Sequence, residues 1–245
     1  MLEPTPDITD ASGAHARRAG MHGAPPQALP DLLLIERARA GDERAIEALL
    51  RRYGRRLYRV AYSVLLDEER SQAAVREAVL AAFGDLSRYE STGKFAAWLT
   101  RLTFVQARAL RFAARSAERA TAQAPADAAA AAPAAGCEPG DELKERRELE
   151  RRIGELREVF RTVFVLRILE GVSGIETAAS LALHATTVRT RLYRAQRRLG
   201  ADTVQRARAA VALLALTPES TERLVTAVLT ARPHGSMLTI SAAPP

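Results

Sequence analysis

The sequence is poor in the residues that stabilise a fold covalently or through a metal. Cys137 is the one cysteine among 245 residues, which excludes an intrachain disulfide and a zinc site built from cysteines. The longest apolar run, at 209–216, is much shorter than the roughly 20 residues of a membrane-spanning helix, so no membrane insertion is predicted. Acidic residues near the N-terminus, Glu3, Asp7 and Asp10, are unlike a secretion leader. We therefore expect a soluble, cytoplasmic protein.

Aromatic residues are also scarce, at 5% of the chain, whereas hydrophobic residues as a whole make up 47%. This balance is typical of an alanine- and leucine-rich helical protein and argues against an aromatic-rich β-sandwich. The 36 basic residues outnumber the 29 acidic ones, giving a net charge of +7 and a pI of about 10.2. The predicted fold class is therefore all-α, and the charge favours a polyanionic partner such as nucleic acid.

Residues suited to catalysis or metal binding are dispersed. The chain has four histidines, and neither a nucleophile–base pair nor a metal-ligand spacing accompanies them: His15, His22, His184 and His234. No catalytic site, metal or cofactor is predicted, and the sequence does not indicate an enzyme.

Two stretches without a helical period divide the chain. The first, at 1–29, is predicted to be a disordered tail. In the second, 11 of the 17 residues at 120–136 are alanine, and Pro125 and Pro133 interrupt any long helix. These breaks predict two small helical domains at 30–116 and 141–200, joined by a flexible Ala/Pro-rich linker at 117–140 and followed by a helical C-terminal extension at 201–245.

Between the breaks, apolar residues recur at helical spacing. Ile46, Leu49, Leu50 and Leu57 define one face of a helix that begins near Asp42. Further helices are predicted at 68–83, 95–115, 141–152, 155–169, 202–216 and 218–231.

The segment 173–199 has the layout of a helix-turn-helix. Ser173 is a capping residue for a short first helix, residues 182–184 form the turn, and the second helix spans 185–199. One face of this second helix is apolar and must meet the domain core: Val188, Leu192, Ala195 and Leu199.

Basic residues crowd the rest of the second helix, with five arginines and no acidic residue at 186–198. An ordinary solvated face would interleave Glu or Asp at i+4 spacing, as 141–152 does, so the pattern favours binding to DNA phosphates. His184, in the turn, would contact a phosphate or cap the helix, and the sequence favours neither. Three short side chains lie at the base-reading end: Thr186, Thr187 and Thr190.

Two sets of short stretches are similar to one known family. The first set consists of LYRVA at 57–61, VREAVLAAF at 75–83 and FAAWL at 95–99. The second consists of LREVFRTVFVLR at 156–167, EGVS at 170–173 and TVRTRLYRA at 187–195. In this order, over about 31–200, they resemble the polymerase-binding and promoter-reading domains of bacterial RNA polymerase sigma factors of the extracytoplasmic-function (ECF) type.

The resemblance implies a sigma factor that binds core RNA polymerase and directs it to specific promoters for transcription initiation. The first domain would open the minus-10 element, and the second would bind the minus-35 element. The DNA partners would be double-stranded promoter DNA and the melted single strand. Whether an anti-sigma factor is a further partner stays open.

Residue roles follow from the matching positions. Polymerase binding is assigned to Arg76, Glu77, Leu80 and Phe83. Binding to the minus-10 element is assigned to Arg88, Tyr89, Lys94, Arg101 and Arg108, with Tyr89 favoured over the more core-like Trp98 for stacking on a base. Binding to the minus-35 element is assigned to His184, Thr186, Thr187, Arg189, Thr190, Arg191, Arg194 and Arg198.

The chain departs from the family pattern at a few positions. Ala182 stands where glycine normally permits a left-handed turn, at a cost of about 1 kcal/mol for a residue with a β-carbon. Thr177 replaces an aliphatic residue. Gln72 and Ala73 replace an acidic pair, which predicts an altered affinity for polymerase.

The alternative function is a polymerase-independent helix-turn-helix regulator, which leaves the similarity of the first domain unexplained. The C-terminal extension has too many apolar residues for a solvated tail, so we expect it to pack against one of the two domains. These residues are Val204, Val211, Leu214, Leu224, Val225, Val228 and Leu229.

Overall fold

The computed structural model of the protein describes residues 29–86, 89, 95–121, 141–210 and 213–231. These residues form ten α-helices and no strand, which confirms the all-α prediction. In this part of the chain, no helix is both long and apolar enough to span a membrane. The predicted tail before Leu29 and most of the predicted linker lie outside the described residues.

The first domain consists of α1 (Asp31–Arg39), α2 (Glu43–Leu65), α3 (Glu68–Gly84) and α4 (Phe95–Thr121). The start predicted near Asp42 is confirmed, because its carboxylate accepts a hydrogen bond from the backbone N–H of Arg44 at 2.9 Å. Asp67 caps α3 in the same way, accepting from the N–H of Arg70 at 2.8 Å. Between them, Leu66 turns the chain in a left-handed conformation with φ of 55°.

After α4, the described residues form six further α-helices, two of which make the helix-turn-helix. α5 is Asp141–Gly154, and α6 (Glu158–Phe164) runs directly into a π-helix at Val165–Leu169. Gly171 follows with φ of +63°, the left-handed exit for which glycine is suited. The remaining helices are α7 (Gly174–Leu181), α8 (Ala185–Leu199), α9 (Ala201–Ala209) and α10 (Pro218–Ala231).

Several helix boundaries differ from the predictions. α4 continues to Thr121 rather than ending near Arg115, since no Gly or Pro interrupts it there, and its last turn therefore enters the predicted linker. The helix predicted at 155–169 begins only at Glu158 and ends as a π-helix. The first helix of the extension ends at Ala209 rather than at 216. α1 was not predicted.

The two domains share a continuous interior. In the first domain, α2, α3 and α4 enclose a core that includes the fully buried Ile46, Leu57 and Val79. A second core lies among α5, α6, α8 and α9, around Phe164. A third apolar cluster joins Val60 of α2 to residues of the second domain, namely Val163, Leu166, Val172, Leu181 and Val188.

The C-terminal extension packs against this chain, as predicted, but it contacts both domains rather than one. Val204 and Leu214 belong to the second core. α10 lies against α2 and α3, and three of its apolar residues are at most 5% exposed within the core of the first domain: Leu224, Val225 and Val228.

Candidate nucleic-acid and polymerase interfaces

The helix-turn-helix is held by local hydrogen bonds of its own. The Ser173 hydroxyl accepts a hydrogen bond from the N–H of Glu176 at 3.1 Å, so the predicted cap of α7 is confirmed. Ala182 adopts the left-handed conformation, with φ of 51°, that the turn demands. His184 is the N-cap of α8, but its side chain makes no capping hydrogen bond and remains exposed.

One face of α8 anchors the helix in the domain. Val188, Ala195 and Leu199 are at most 5% exposed, and Leu192 packs beside them. The predicted apolar face is therefore confirmed. Because this face is buried, the arginines on the other sides of the helix are directed away from the core.

The arginines of α8 form no ion pair within the part of the chain that the structure describes. Among the residues that the structure describes, no carboxylate lies within 4 Å of any of the five: Arg189, Arg191, Arg194, Arg197 and Arg198. By contrast, Arg151 on α5 contacts Glu148 at 2.7 Å and also pairs with Glu155. The positive field of α8 is thus left uncompensated by this part of the chain.

A further arginine extends this basic surface. Arg157, just before α6, places its guanidinium 5.8 Å from the centroid of the Phe160 ring, and Arg198 lies 5.4 Å from the same ring. With Arg194 and Arg197 they line one shallow depression. Arg157 and Arg197 are not among the site residues predicted from the sequence, and Arg157 reaches this surface only through the packing of α6 against α8.

Hydroxyl groups at the start of α8 differ in their bonding. Thr190 donates its proton to the backbone carbonyl of Thr186 at 2.9 Å, one helical turn earlier. Thr186 is itself exposed and Thr187 is half-buried. The side chains of Thr186 and Thr187 therefore precede the arginines at the open end of the helix.

The predicted polymerase-binding residues of α3 divide between surface and core. Arg76 and Glu77 are exposed and form an ion pair with each other at 3.2 Å. Leu80 is half-buried, whereas Phe83 is only 7% exposed and belongs to the core of the first domain. Direct contact with a partner is thus open to Arg76, Glu77 and Leu80, while Phe83 supports the helix from beneath.

The predicted minus-10 residues are only partly described. Arg88 and Lys94 lie outside the described residues. Arg101 and Arg108 are exposed on α4, where the Nε of Arg108 lies 3.6 Å from Glu158 and its guanidinium 5.7 Å from the Phe104 ring.

Stacking on a base requires an exposed ring, whereas the ring of Tyr89 is buried in the structure. Its side chain is only 6% exposed, with its ring centroid 5.1 Å from that of Trp98 and 5.2 Å from that of Phe95. A base could stack on Tyr89 only after the ring leaves this aromatic cluster. Trp98 is partly buried against the same core, in line with the packing role favoured from its sequence position.

Two buried arginines join the domains. Arg59 of α2, which is 1% exposed, donates from Nε to the carbonyl of Leu213 at 2.8 Å and from Nη1 to that of Leu169 at 3.2 Å. Its Nη1 also contacts the Glu170 carboxylate at 2.6 Å. This one side chain therefore connects the first domain, the π-helix and the C-terminal extension.

The second is Arg161 of α6, which crosses the domain boundary in the other direction. Its Nε donates to the carbonyl of Ser63 at 2.5 Å, and its Nη1 donates to those of Gly154 and Leu156 at 2.6 and 2.8 Å. Burial, with a smaller effect of the nearby Arg111, lowers the pKa of Arg161 to about 10. The guanidinium thus remains charged at neutral pH, and three carbonyls accept from it.

Comparison with known proteins agrees with this arrangement. The family described as Sigma-70 region 2 matches residues 49–118, and Sigma-70, region 4 matches residues 146–199. The RNA polymerase sigma factor CnrH of Cupriavidus metallidurans is 32% identical over 70% of this chain and 93% of its own length. The chain belongs to the RNA polymerase sigma factors of the ECF type.

A further relative and a solved structure cover similar shares of this chain. The ECF RNA polymerase sigma factor SigW of Bacillus subtilis is 24% identical over 67% of this chain and 92% of its own length. Among solved structures, CnrH in complex with the cytosolic domain of CnrY is 27% identical, with a TM-score of 0.49, over 69% of this chain and 94% of that one.

As a sigma factor, the chain binds core RNA polymerase and directs it to promoter DNA for transcription initiation. The alternative of a polymerase-independent regulator is not favoured, because the first domain matches region 2 of the same family. Sigma factors are regulatory proteins, and each of the relatives above is named a sigma factor.

Proposed function

We propose that α8 binds the minus-35 element of the promoter, that α4 and the residues before it hold the minus-10 element, and that the exposed face of α3 docks on core polymerase. The observation that supports this most is the uncompensated arginine face of α8. Five like charges on one helix repel each other unless an external polyanion neutralises them. DNA phosphates supply that charge at regular spacing.

The shape of α8 suits the major groove. A helix of 15 residues is roughly 22 Å long, and the groove is about 12 Å wide, enough to admit an α-helix. In this geometry the N-terminal threonines approach base edges while arginines farther along contact the two phosphate backbones. His184, which caps nothing through its side chain, lies next to the first of these contacts.

The DNA part of the proposal is tested with Arg191→Ala/Arg194→Ala. Because each lost phosphate contact removes about 0.9 from the slope of log affinity against log salt, the double variant should lose about 1.8, together with affinity for a random-sequence 30-bp duplex. Fluorescence anisotropy over a salt series measures both quantities.

A matched control removes the same charge from paired positions. Arg146→Ala/Arg151→Ala alters two arginines of α5 whose guanidiniums already contact Glu150 and Glu148. We expect its salt slope to stay near that of the native chain. If the α8 variant also keeps the native slope, α8 is not the phosphate-binding helix.

The polymerase part is tested by exchanging charges on α3. Arg76→Glu/Glu77→Arg keeps the net charge and the ion pair but reverses the charge at each exposed position, so we expect at least about a tenfold loss of affinity for core polymerase. The control exchange, Glu69→Arg/Arg70→Glu, alters two exposed residues earlier on the same helix. If both variants bind core polymerase with equal affinity and circular dichroism shows unchanged helicity, the polymerase-binding surface does not include Arg76 and Glu77.

We also propose that the chain catalyses no reaction itself and acts in the cytoplasm, where core polymerase and promoters occur. The support is the dispersed placement of its histidines along the sequence. Incubation of the purified chain with duplex DNA and nucleotides should leave both chemically unchanged. Any turnover by the chain without polymerase would overturn this proposal.

A further inference from the structure

The C-terminal segment 213–231 inserts apolar side chains into the cores of both domains. Leu213 and Leu214, at 0% and 5% exposed, belong to the core around Phe164 in the second domain. A few residues later, Leu224, Val225 and Val228 belong to the core of the first domain. The chain thus passes from the first domain to the second through 122–140 and returns to the first through α10.

Polar contacts fix the point where this segment crosses between the domains. The carbonyl of Leu213 accepts the hydrogen bond from the buried Arg59 of α2 at 2.8 Å. The N–H of the next residue, Leu214, donates to the Glu150 carboxylate of α5 at 3.2 Å. The C=O and the N–H of one peptide unit therefore bind one domain each. This peptide unit fixes the crossing point to both domains.

This closed arrangement does not fit simultaneous binding of both promoter elements, an argument that rests on the proposed function. Elements centred about 25 base pairs apart lie roughly 85 Å apart at 3.4 Å per base pair. In the structure, α4 of the first domain packs directly against α7 of the helix-turn-helix, and packed helices have axes about 8–10 Å apart. The domains must therefore separate before each reaches its element.

We propose that residues 213–231 form an intramolecular strap that holds the two domains closed, and that α10 leaves the first domain when polymerase and promoter DNA are bound. While α10 is docked, the second domain stays at high effective concentration beside the first. Release of α10 removes its share of the contacts between the domains and leaves those of α2 and α4 with α6 and α7, which polymerase and promoter DNA then have to separate.

The strap is built to be released. α10 has 14 residues, too few for an isolated helix to be stable in water, so it holds its shape through the apolar contacts with α2 and α3. Its ion pair with the first domain, Arg51 to Glu222 at 3.0 Å, is exposed and contributes little. Competition for the neighbouring surface of α3 by polymerase would therefore act on a small set of apolar anchors.

The test measures the distance between the domains in the full chain. Spin labels are attached at Glu69→Cys on α3 and Gln205→Cys on α9, both exposed, in a Cys137→Ser background. The anchor variant Leu224→Asn/Val228→Asn is compared with Thr226→Asn/Thr230→Asn, which alters the exposed side of the same helix. A chain ending at residue 215 serves as the second strap-free form, in case the anchor variant unfolds.

A single short distance is expected for the native chain and the control variant, and an added population of long distances for both strap-free forms. Those forms should also bind core polymerase about tenfold more tightly if one native molecule in ten is open. The strap is excluded if the distance distribution is the same in all four proteins. The distance measurement uses neither DNA nor polymerase, so failure of the strap and failure of the proposed function are distinguishable.

Discussion

The arginines between the two domains and the arginines of α8 have opposite surroundings. Arg59 and Arg161 are at most 3% exposed, and each has three acceptors within 3.2 Å. On α8, four of the five arginines are exposed, and within the described part of the chain none has a carboxylate within 4 Å. The same residue type thus serves the fold in one region and is left for an external partner in the other.

The difference shows how to separate structural from binding arginines. Burying a guanidinium destabilises the folded state unless acceptors are positioned for its N–H groups. Because those acceptors come from both domains, Arg59 and Arg161 depend on the closed domain arrangement. An exposed guanidinium without a partner adds only repulsion to the free chain, and its value appears when phosphates are bound. Stability and DNA affinity should therefore respond to different arginines.

The largest effect on stability is expected at Arg59. Arg59→Ala removes the closest cation from Glu170, which is 6% exposed in its side chain, and leaves the carbonyls of Leu169 and Leu213 without this donor. Breaking a buried pair costs about 3–5 kcal/mol of the free energy of unfolding. Because Arg55 and Arg56 lie 3.6 and 4.0 Å from the same carboxylate, we expect the lower end, about 3 kcal/mol, by urea unfolding.

Arg55→Ala is the matched control for that measurement. Its side chain is 54% exposed although it faces the same Glu170, so its loss should cost less than about 1 kcal/mol. Replacing both members of the buried pair, as Arg59→Met/Glu170→Leu, should cost less than Arg59→Ala alone, since no buried charge is left unpaired. If Arg59→Ala and Arg55→Ala unfold at the same urea concentration, burial does not distinguish them.

The second prediction concerns Arg191 and Arg194, which have no carboxylate within 4 Å among the described residues. Without DNA, Arg191→Ala/Arg194→Ala should unfold within about 0.5 kcal/mol of the native chain, because these side chains stabilise nothing inside it. With a duplex present at 100 times the native dissociation constant, the native chain should gain about 2.7 kcal/mol and the variant clearly less. Thermal unfolding with and without the duplex measures both. A large loss of stability without DNA would show that these arginines belong to the fold.

Local signals explain why much of the fold is predictable from the sequence. Ser173 caps α7 and the apolar spacing from Val188 to Leu199 defines the buried face of α8, as expected. α10 begins at Pro218, the residue type favoured at the first helical position. Each of these features depends on residues within one or two turns, so periodicity and capping rules are sufficient.

The remaining features depend on contacts between distant parts of the chain. The acceptors of Arg59 lie 110, 111 and 154 residues away, so its periodic position on α2 indicates neither its burial nor its partners. Arg157 reaches the basic surface only through the packing of α6 on α8. Its position in a predicted loop favours Tyr89 over Trp98 for base stacking, yet in the structure the Tyr89 ring packs against Trp98. Tertiary packing determines all three features, and local spacing and capping signals in the sequence do not reveal it.

The smallest effect on affinity, and the most specific, is expected at the N-terminal end of α8. Thr186→Ala and Thr187→Ala should change which duplexes are preferred, by less than the roughly 1–3 kcal/mol of a bidentate contact to a base, while altering the salt slope little, because a neutral hydroxyl neutralises no phosphate charge. Thr190→Ala should change the ranking less, since its hydroxyl proton already binds the carbonyl of Thr186 at 2.9 Å. Sequencing the duplexes that each protein recovers from one random pool gives the three rankings. Identical rankings for all variants and the native chain would locate base recognition outside this end of the helix.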